Sequence, residues 1–320
     1  MNLERPVRTV FLGSGTFAVP VLEAVATHRA VELVAAVSAP DRRAGRGHRP
    51  RGVPVATLAR QRGWPLHQPA RLRDVDAQAR LLALRPELLV LADYGQIVPA
   101  ALVVSPAHGA LNVHPSLLPR HRGASPVAAT ILAGDREGGV TVIRMDAGVD
   151  TGPIVAQARV PVAGSETAPR LEERLAALGA RLLADVLEPW LGGAIVPLPQ
   201  PAEGASVTRL LRREDGRLDW TRDAEVLERQ VRAYQPWPGS FAPSPFGTIT
   251  LWGAAVLRRD AAGGAISGRP GTVLAWGRGL AVVCAGGALE LLEVQLAGRG
   301  RMSGRDLRNG YPRIVGERLP

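Results

Sequence analysis

Lysine is absent from this 320-residue sequence, and all 39 basic residues are arginine. That absence removes Schiff-base chemistry with carbonyl compounds or pyridoxal phosphate, the lysine of phosphate-binding loops, and any Ser-Lys dyad. Cysteine is nearly absent too. Cys284 alone cannot close an internal disulfide or supply a multi-cysteine zinc site, so the sequence predicts a reducing, cytoplasmic setting. No apolar run reaches the roughly 18 residues that a membrane helix needs. The amino terminus puts Glu4 and two arginines before a short apolar run, which predicts an unexported chain with no membrane partner. What is present is ordinary globular material: 46% hydrophobic and 21% charged residues, in a length suited to about two domains. Basic residues outnumber the 29 acidic ones by ten, which suggests polyanionic company.

From Val7 to about Trp190, short apolar runs alternate with helix-length amphipathic segments, the pattern of strand-helix-strand units around a mostly parallel α/β sheet. Candidate strands fall at 7–12, 31–38, 87–93, 110–114 and 140–145. Within 169–191, Leu171, Leu175, Leu178, Leu182, Val186 and Trp190 recur at spacings of three and four, predicting a helix buried along that stripe. The following AIVPLPQPAEGAS has three prolines without backbone donors and reads as a semi-rigid connector. The chain is thus divided into a catalytic domain at 1–191, a linker at 192–206 and a carboxyl-terminal domain at 207–320. The last part shows one helical stretch near 225–234 and short β-type runs at 247–257, 270–276, 280–284 and 288–294, suited to a small barrel or sandwich. From Ser206 onward it carries 17 arginines against 11 acidic residues, and all six histidines precede it. Proton-transfer chemistry is therefore assigned to the first domain and binding to the second.

The most informative stretch is LNVHPSLLPRHRG, Leu111 to Gly123. On a strand, Asn112 and His114 share one face while Leu111 and Val113 take the other. Pro115 should end the strand and leave the polar pair at its carboxyl end, where open α/β sheets bind ligands. An amide can donate to an oxygen gaining negative charge, and an imidazole can do the same or move a proton. Asp146 and Asp150 lie in a later Gly-rich turn, and either carboxylate could orient the histidine. A polar pair at a strand end can equally satisfy backbone groups, and an Asp-Gly turn is usually only a turn. Between Asp41 and Gly52, Arg42, Arg43, Arg46, Arg49 and Arg51 have little local compensation, so they either face water or await an anion.

The strings NVHPSLLPRHRGASP and GVTVIRMDAGVDTGPIV, with FLGSGTFAVPVLEAV, PDRRAGRGHRPRG and LADYGQIVP, resemble the formyltransferases that use 10-formyltetrahydrofolate. The likeness runs nearly end to end, and RLDW at Arg217 and AYQPWPGSF at Ala233 place it with the tRNA-acting members. The resemblance implies a Rossmann-like domain followed by a β-barrel resembling an oligonucleotide-binding fold. It implies formyl transfer from 10-formyltetrahydrofolate to the amino group of methionyl initiator tRNA, a step of translation initiation, by a metal-free monomer. The family's catalytic residues fall on Asn112, His114 and Asp150. Its folate pocket falls on Asp93, Tyr94, Gly95, Gln96 and Ile97, with Ser116, Leu117, Leu118 and Pro119 after the catalytic strand. Its tRNA-contacting loop falls on Arg42, Arg43, Arg46, Arg49 and Arg51, with Arg46 the first choice for direct contact.

Other readings stay open. Pro115 stands where tRNA-acting members often have glycine, which leans toward an amino sugar or a nucleotide-precursor amine as acceptor. Gly13-Ser14-Gly15 after the first strand allows a nicotinamide-dependent oxidoreductase, although the third glycine of the fingerprint is Ala18 and tight-turn geometry explains the pair. A noncatalytic RNA-binding protein keeping a relic domain is a further alternative. Cys284 reads as a small core residue. Trp220, Trp237 and Trp252 could stack on bases, with Trp252 the one assigned to the core.

Overall fold

The computed structural model describes residues 5–44, 49–258, 264 and 266–320. They divide into two compact units. The first holds Met1–Pro126, Glu137–Pro161 and Arg170–Arg209; the second holds Val127–Arg136, Val162–Pro169 and Leu210–Pro320.

The first unit is built on a seven-stranded sheet: β1 (Val7–Gly13), β2 (Val31–Val37), β3 (Leu66–His67), β4 (Leu88–Ala92), β5 (Ala110–His114), β6 (Glu137–Arg144) and β7 (Ile154–Pro161), in the order β7-β6-β5-β4-β1-β2-β3. The first five are parallel, whereas β6 runs against β5 and β7 against β6. Central strands of a parallel sheet are covered on both faces and so read as unbroken apolar runs. Val10, Phe11 and Leu12 of β1 are accordingly all fully buried. Val10, Leu12, Val37 and Leu89 pack in a core with Leu72, Leu81 and Leu102 from the connections between strands.

The long helix Ala168–Leu191 forms where its periodicity predicts, but its buried stripe is rotated. Leu171, Leu175 and Val186 are buried as expected, joined by Leu183, Leu187 and Leu191, while Leu178 and Leu182 are only half-buried. Gly179 explains the turn of the face. A side chain there would meet Val113 at 3.0 Å and Val140 at 3.3 Å, so the helix approaches the sheet along that line. Trp190 keeps one edge outside, and its indole N–H donates to the His108 carbonyl at 3.0 Å.

The segment read as a semi-rigid linker at 192–206 is part of the first unit. Leu198 and Ile154 exchange backbone hydrogen bonds of 2.7 and 2.8 Å, and Val207–Thr208 pairs in parallel with Arg122–Gly123. The prolines exclude a regular ladder but leave isolated bridges possible. The last stretch of the second unit begins at Leu210.

In the second unit an antiparallel sheet takes in Ser240–Ala242, Ile249–Leu257, Val273–Trp276, Gly279–Cys284, Gly287–Leu296 and Arg301–Ser303. The helix Ala224–Ala233 seats Leu227 and Val231 in the same core as Trp220, Leu289 and Leu291. The tryptophans separate differently from expectation. Trp220 is the core residue; Trp252 is half-buried on the sheet, with the Arg301 guanidinium 3.8 Å from its ring centroid and its own N–H on Gln295. Cys284 is buried, as expected, and burial pushes its thiol up to about 12. Among the described residues, no helix is long and apolar enough to cross a membrane.

Candidate active site

Strand β5 carries the polar pair. Asn112 lies between Leu91 on β4 and Ile143 on β6, and His114 lies opposite Thr141. They are 7% and 4% exposed, deep enough that their polar atoms need protein or ligand partners. The loop from β6 to β7 supplies one. Asp150 takes a backbone φ of +53°, an uncommon value for a residue with a side chain. Its Oδ1 accepts from Asn112 Nδ2 at 2.9 Å, its Oδ2 accepts from the Gly123 N–H at 2.8 Å, and the same Oδ2 is 3.5 Å from His114 Nδ1. His114 Nε2 lies 2.9 Å from the His121 carbonyl oxygen. A carbonyl only accepts, so Nε2 is the donor, and Nδ1 is the ring nitrogen turned toward the carboxylate. Asn112, His114 and Asp150 are thus brought together. Asp146 is not: it accepts from the Gly148 N–H at 3.0 Å and the Thr151 hydroxyl at 2.7 Å, closing its own turn.

Several supporting residues carry no sequence signal. Gln200 Nε2 donates to the carbonyls of Asp150 at 2.7 Å and Gly152 at 2.8 Å, while its Oε1 accepts from Arg122 Nε and Nη2 at 3.0 and 2.7 Å. The Ser206 hydroxyl accepts from the His121 N–H at 2.8 Å. The loop after β5 is tied down by Thr141, whose hydroxyl donates to the Ser116 carbonyl and accepts from the Leu118 N–H, and by Gln157, which donates to the Leu118 carbonyl.

The expected folate-pocket positions divide by exposure. Asp93, Gly95, Gln96, Ile97 and Leu117 keep open surface; Tyr94, Ser116, Leu118 and Pro119 are buried. Tyr94 packs in the apolar core, where burial raises its hydroxyl to about 12, and Ser116 donates internally to the Arg120 carbonyl. These four sit beneath the surface, so side chains with open surface are left to Asp93, Gln96, Ile97 and Leu117, with Gly95 offering backbone alone.

Asp93 follows β4 with φ +46°. Crowding by protein atoms and then the Glu172 carboxylate push its carboxyl up to about 7, although the residue still shows surface to solvent. Its carbonyl accepts from the N–H groups of Ser14 and Gly15, and a Cβ on Gly15 would lie 1.7 Å from its Oδ2. The amides a dinucleotide pyrophosphate would use are therefore already bonded, with a carboxyl beside them, which argues against the nicotinamide reading.

The arginine-rich segment is not the plain loop expected. Arg42–Ala44 and Arg49–Arg51 pair as a short antiparallel ladder, Arg42 opposite Arg51 and Ala44 opposite Arg49. Arg46 lies outside the described residues. At the ladder's base, Asp41 accepts from Gln68, Arg60 and the Val53 N–H. The Gln68 hydrogen bond leads in holding its carboxyl below the usual range.

Residues 7–187 match the family described as formyl transferase, and residues 210–312 match the formyl transferase C-terminal domain. The chain belongs to the formyl transferase family. Among its relatives, a formyl transferase of Roseiflexus sp. (strain RS-1), named methionyl-tRNA formyltransferase, is 42% identical across 98% of this chain and 95% of its own. One of the same name from Gluconacetobacter diazotrophicus is 45% identical across 98% of this chain and 99% of its own. Solved structures share the fold at low identity. WlaRD, a sugar 3N-formyl transferase, covers 92% of this chain and 99% of its own with a TM-score of 0.65 at 15% identity. HypX from Aquifex aeolicus in complex with tetrahydrofolic acid covers 97% of this chain and 48% of its own with a TM-score of 0.61 at 17% identity. For a formyl transferase, the turn at Gly13-Ser14-Gly15 serves close packing: a Cβ on Gly13 would meet the Ala18 side chain at 2.7 Å and the Ala92 carbonyl at 2.8 Å.

Proposed function

We infer that this formyl transferase moves the formyl group of 10-formyltetrahydrofolate to the amino group of methionyl initiator tRNA. The observation that carries the reading is the convergence of Asn112, His114 and Asp150 at the carboxyl end of β5, in a chain that aligns throughout with relatives named for that reaction. The basic ladder at Arg42, Arg43, Arg49 and Arg51, and the arginine-rich carboxyl-terminal unit, supply the positive charge that a tRNA backbone calls for.

The site residues fit a formyl donor. Asn112 gives one amide hydrogen to Asp150 and keeps the second for an oxygen gaining negative charge as an amine adds. When bound, 10-formyltetrahydrofolate supplies an activated formyl carbon attached to nitrogen. His114 is held at Nε2 by the His121 carbonyl, so Nδ1, beside Asp150, is the atom left to hold or pass a proton. Asp150 fixes the amide plane through Oδ1 and the imidazole through Oδ2. Asn112, His114 and Asp150 thus provide charge stabilisation and a short path for the proton moving from attacking amine to departing nitrogen.

A side-by-side transfer assay with radiolabelled formyl donor decides the acceptor. Charged initiator tRNA is expected to be labelled far faster than uncharged tRNA, glycinamide ribonucleotide or a nucleotide-linked amino sugar. Preferential labelling of either small amine would overturn the tRNA assignment while leaving the formyl chemistry intact.

A further inference from the structure

We propose that Gln200 is a positioning residue for the transfer reaction, aiming the Asp150 carboxylate at Asn112 and His114 by clamping the backbone on which Asp150 sits. The inference rests on the formyl-transfer reading of that site.

The orientation of the Gln200 amide follows from its neighbours. A guanidinium only donates, so the atom facing Arg122 is Oε1; two carbonyls only accept, so the atom facing Asp150 and Gly152 is Nε2. Both amide hydrogens and the amide oxygen are used. The fork from Arg122 is charge-assisted and sets the plane of the amide. The chain doubles back on itself here, because Gly123, next to Arg122, donates its N–H to Asp150 Oδ2. Arg122, Gln200 and the 150–152 turn therefore form a closed ring of hydrogen bonds around the carboxylate.

Asp150 needs such restraint. At φ +53° it occupies the left-handed region, which a residue with a Cβ holds only when its surroundings over-determine it. Its carboxylate is fixed at one end by Asn112 and Gly123, and its carbonyl at the other by Gln200. Gln200 is held in turn by position. Leu198 bridges to Ile154 two residues before it, and Ser206 further along accepts from the His121 N–H. One segment thus supports both partners of His114: Asp150 through Gln200, and His121 through Ser206. Removing the Gln200 amide would free the turn, so that the carboxylate departs from its aim while the ligand-facing surface stays unchanged.

The test compares Gln200→Leu, Gln200→Glu and Arg122→Leu with the wild-type full-length chain. In the formyl transfer assay, kcat is expected to fall about 10- to 100-fold in Gln200→Leu, the range for losing a group that orients a reacting residue, with KM for both substrates within about twofold. Gln200→Glu keeps the partner of Arg122 but turns a carboxylate oxygen toward two carbonyls, so it should lose kcat likewise. Because Arg122 acts through Gln200, the Gln200→Leu/Arg122→Leu double variant should lose less than the product of the single losses. An activity-independent readout is the ¹H–¹⁵N imidazole signal of His114 at fixed pH, expected to move in Gln200→Leu while that of His108 stays. Should Gln200→Leu fail to fold, Gln200→Glu, of similar volume, carries the test. Wild-type kcat together with an unmoved His114 signal would overturn the proposal. Absence of formyl transfer by the wild type would instead sink the functional reading, and the His114 signal would then decide the positioning role alone.

Discussion

Asn112 donates to the Asp150 carboxylate, and His114 sets Nδ1 beside the same carboxylate while its Nε2 meets the His121 carbonyl. On the proposed reading, in which Asn112 donates to the developing oxyanion and His114 handles the proton, Asn112→Ala and His114→Ala should each lower kcat about 10²- to 10³-fold. Circular dichroism checks that each variant keeps the native secondary structure. Asp93 yields a stability signal. An acid raised from 3.8 to about 7 by folding binds its proton more tightly in the native state, so its contribution favours folding at low pH and is lost as pH rises through that interval. The Asp93→Asn variant keeps the neutral form throughout. Its melting temperature relative to wild type is therefore expected to climb from about pH 4 to about pH 7 and then level off; a difference independent of pH would remove the assigned cause.

At the scale of elements, the chemistry depends on where β5 stops and how the β6–β7 loop returns to it. Within that loop Gly152 packs against the end of β6, since a Cβ there would lie 1.9 Å from the Arg144 carbonyl oxygen. That neighbour is backbone and cannot step aside. Gly152→Ala is accordingly expected to destabilise by about 1–3 kcal/mol, as overpacking does, and to lower turnover by displacing Asp150. Calorimetry and the transfer assay check the two halves; an unchanged melting temperature would show that the loop yields freely. The same scale shows what sequence patterning resolves. β1, β2, β4, β5 and the helix Ala168–Leu191 are legible because apolar runs and three-four spacing reflect burial directly. The helix's buried stripe departs from its periodicity because Gly179, lacking a side chain, adds nothing to a hydrophobic pattern yet decides which face can approach the sheet. Residues 192–206 depart from the linker expectation because prolines announce the lack of a ladder, not the isolated bridges that fasten the segment.

For the molecule as a whole, charge is the property open to a bulk measurement. A net charge of +10, its basic side carried entirely by arginine, should make tRNA binding strongly salt-dependent. Replacing Arg42, Arg43, Arg49 or Arg51 singly by glutamine is expected to reduce the slope of log K against log salt by about 0.7–0.9 for each phosphate no longer neutralised. Filter binding or anisotropy at several salt concentrations measures it; affinity that is flat with salt would sink the electrostatic role.

The amino-acid sequence by itself determined the α/β and β architecture, the presence of Asn112 and His114 on one strand face, and the family. These follow from local spacing and exact strings, which the chain carries wherever it folds. Only the tertiary structure decided that Trp220 rather than Trp252 enters the core and that Gln200 returns from a proline-rich stretch to the Asp150 turn, and it set Asp150, which the family resemblance had implied, rather than Asp146 beside the histidine. Those choices depend on contacts between residues far apart along the chain, such as His114 with Asp150 and Gln200 with Asp150. Such distances are set by the whole sheet and leave no periodicity along the chain.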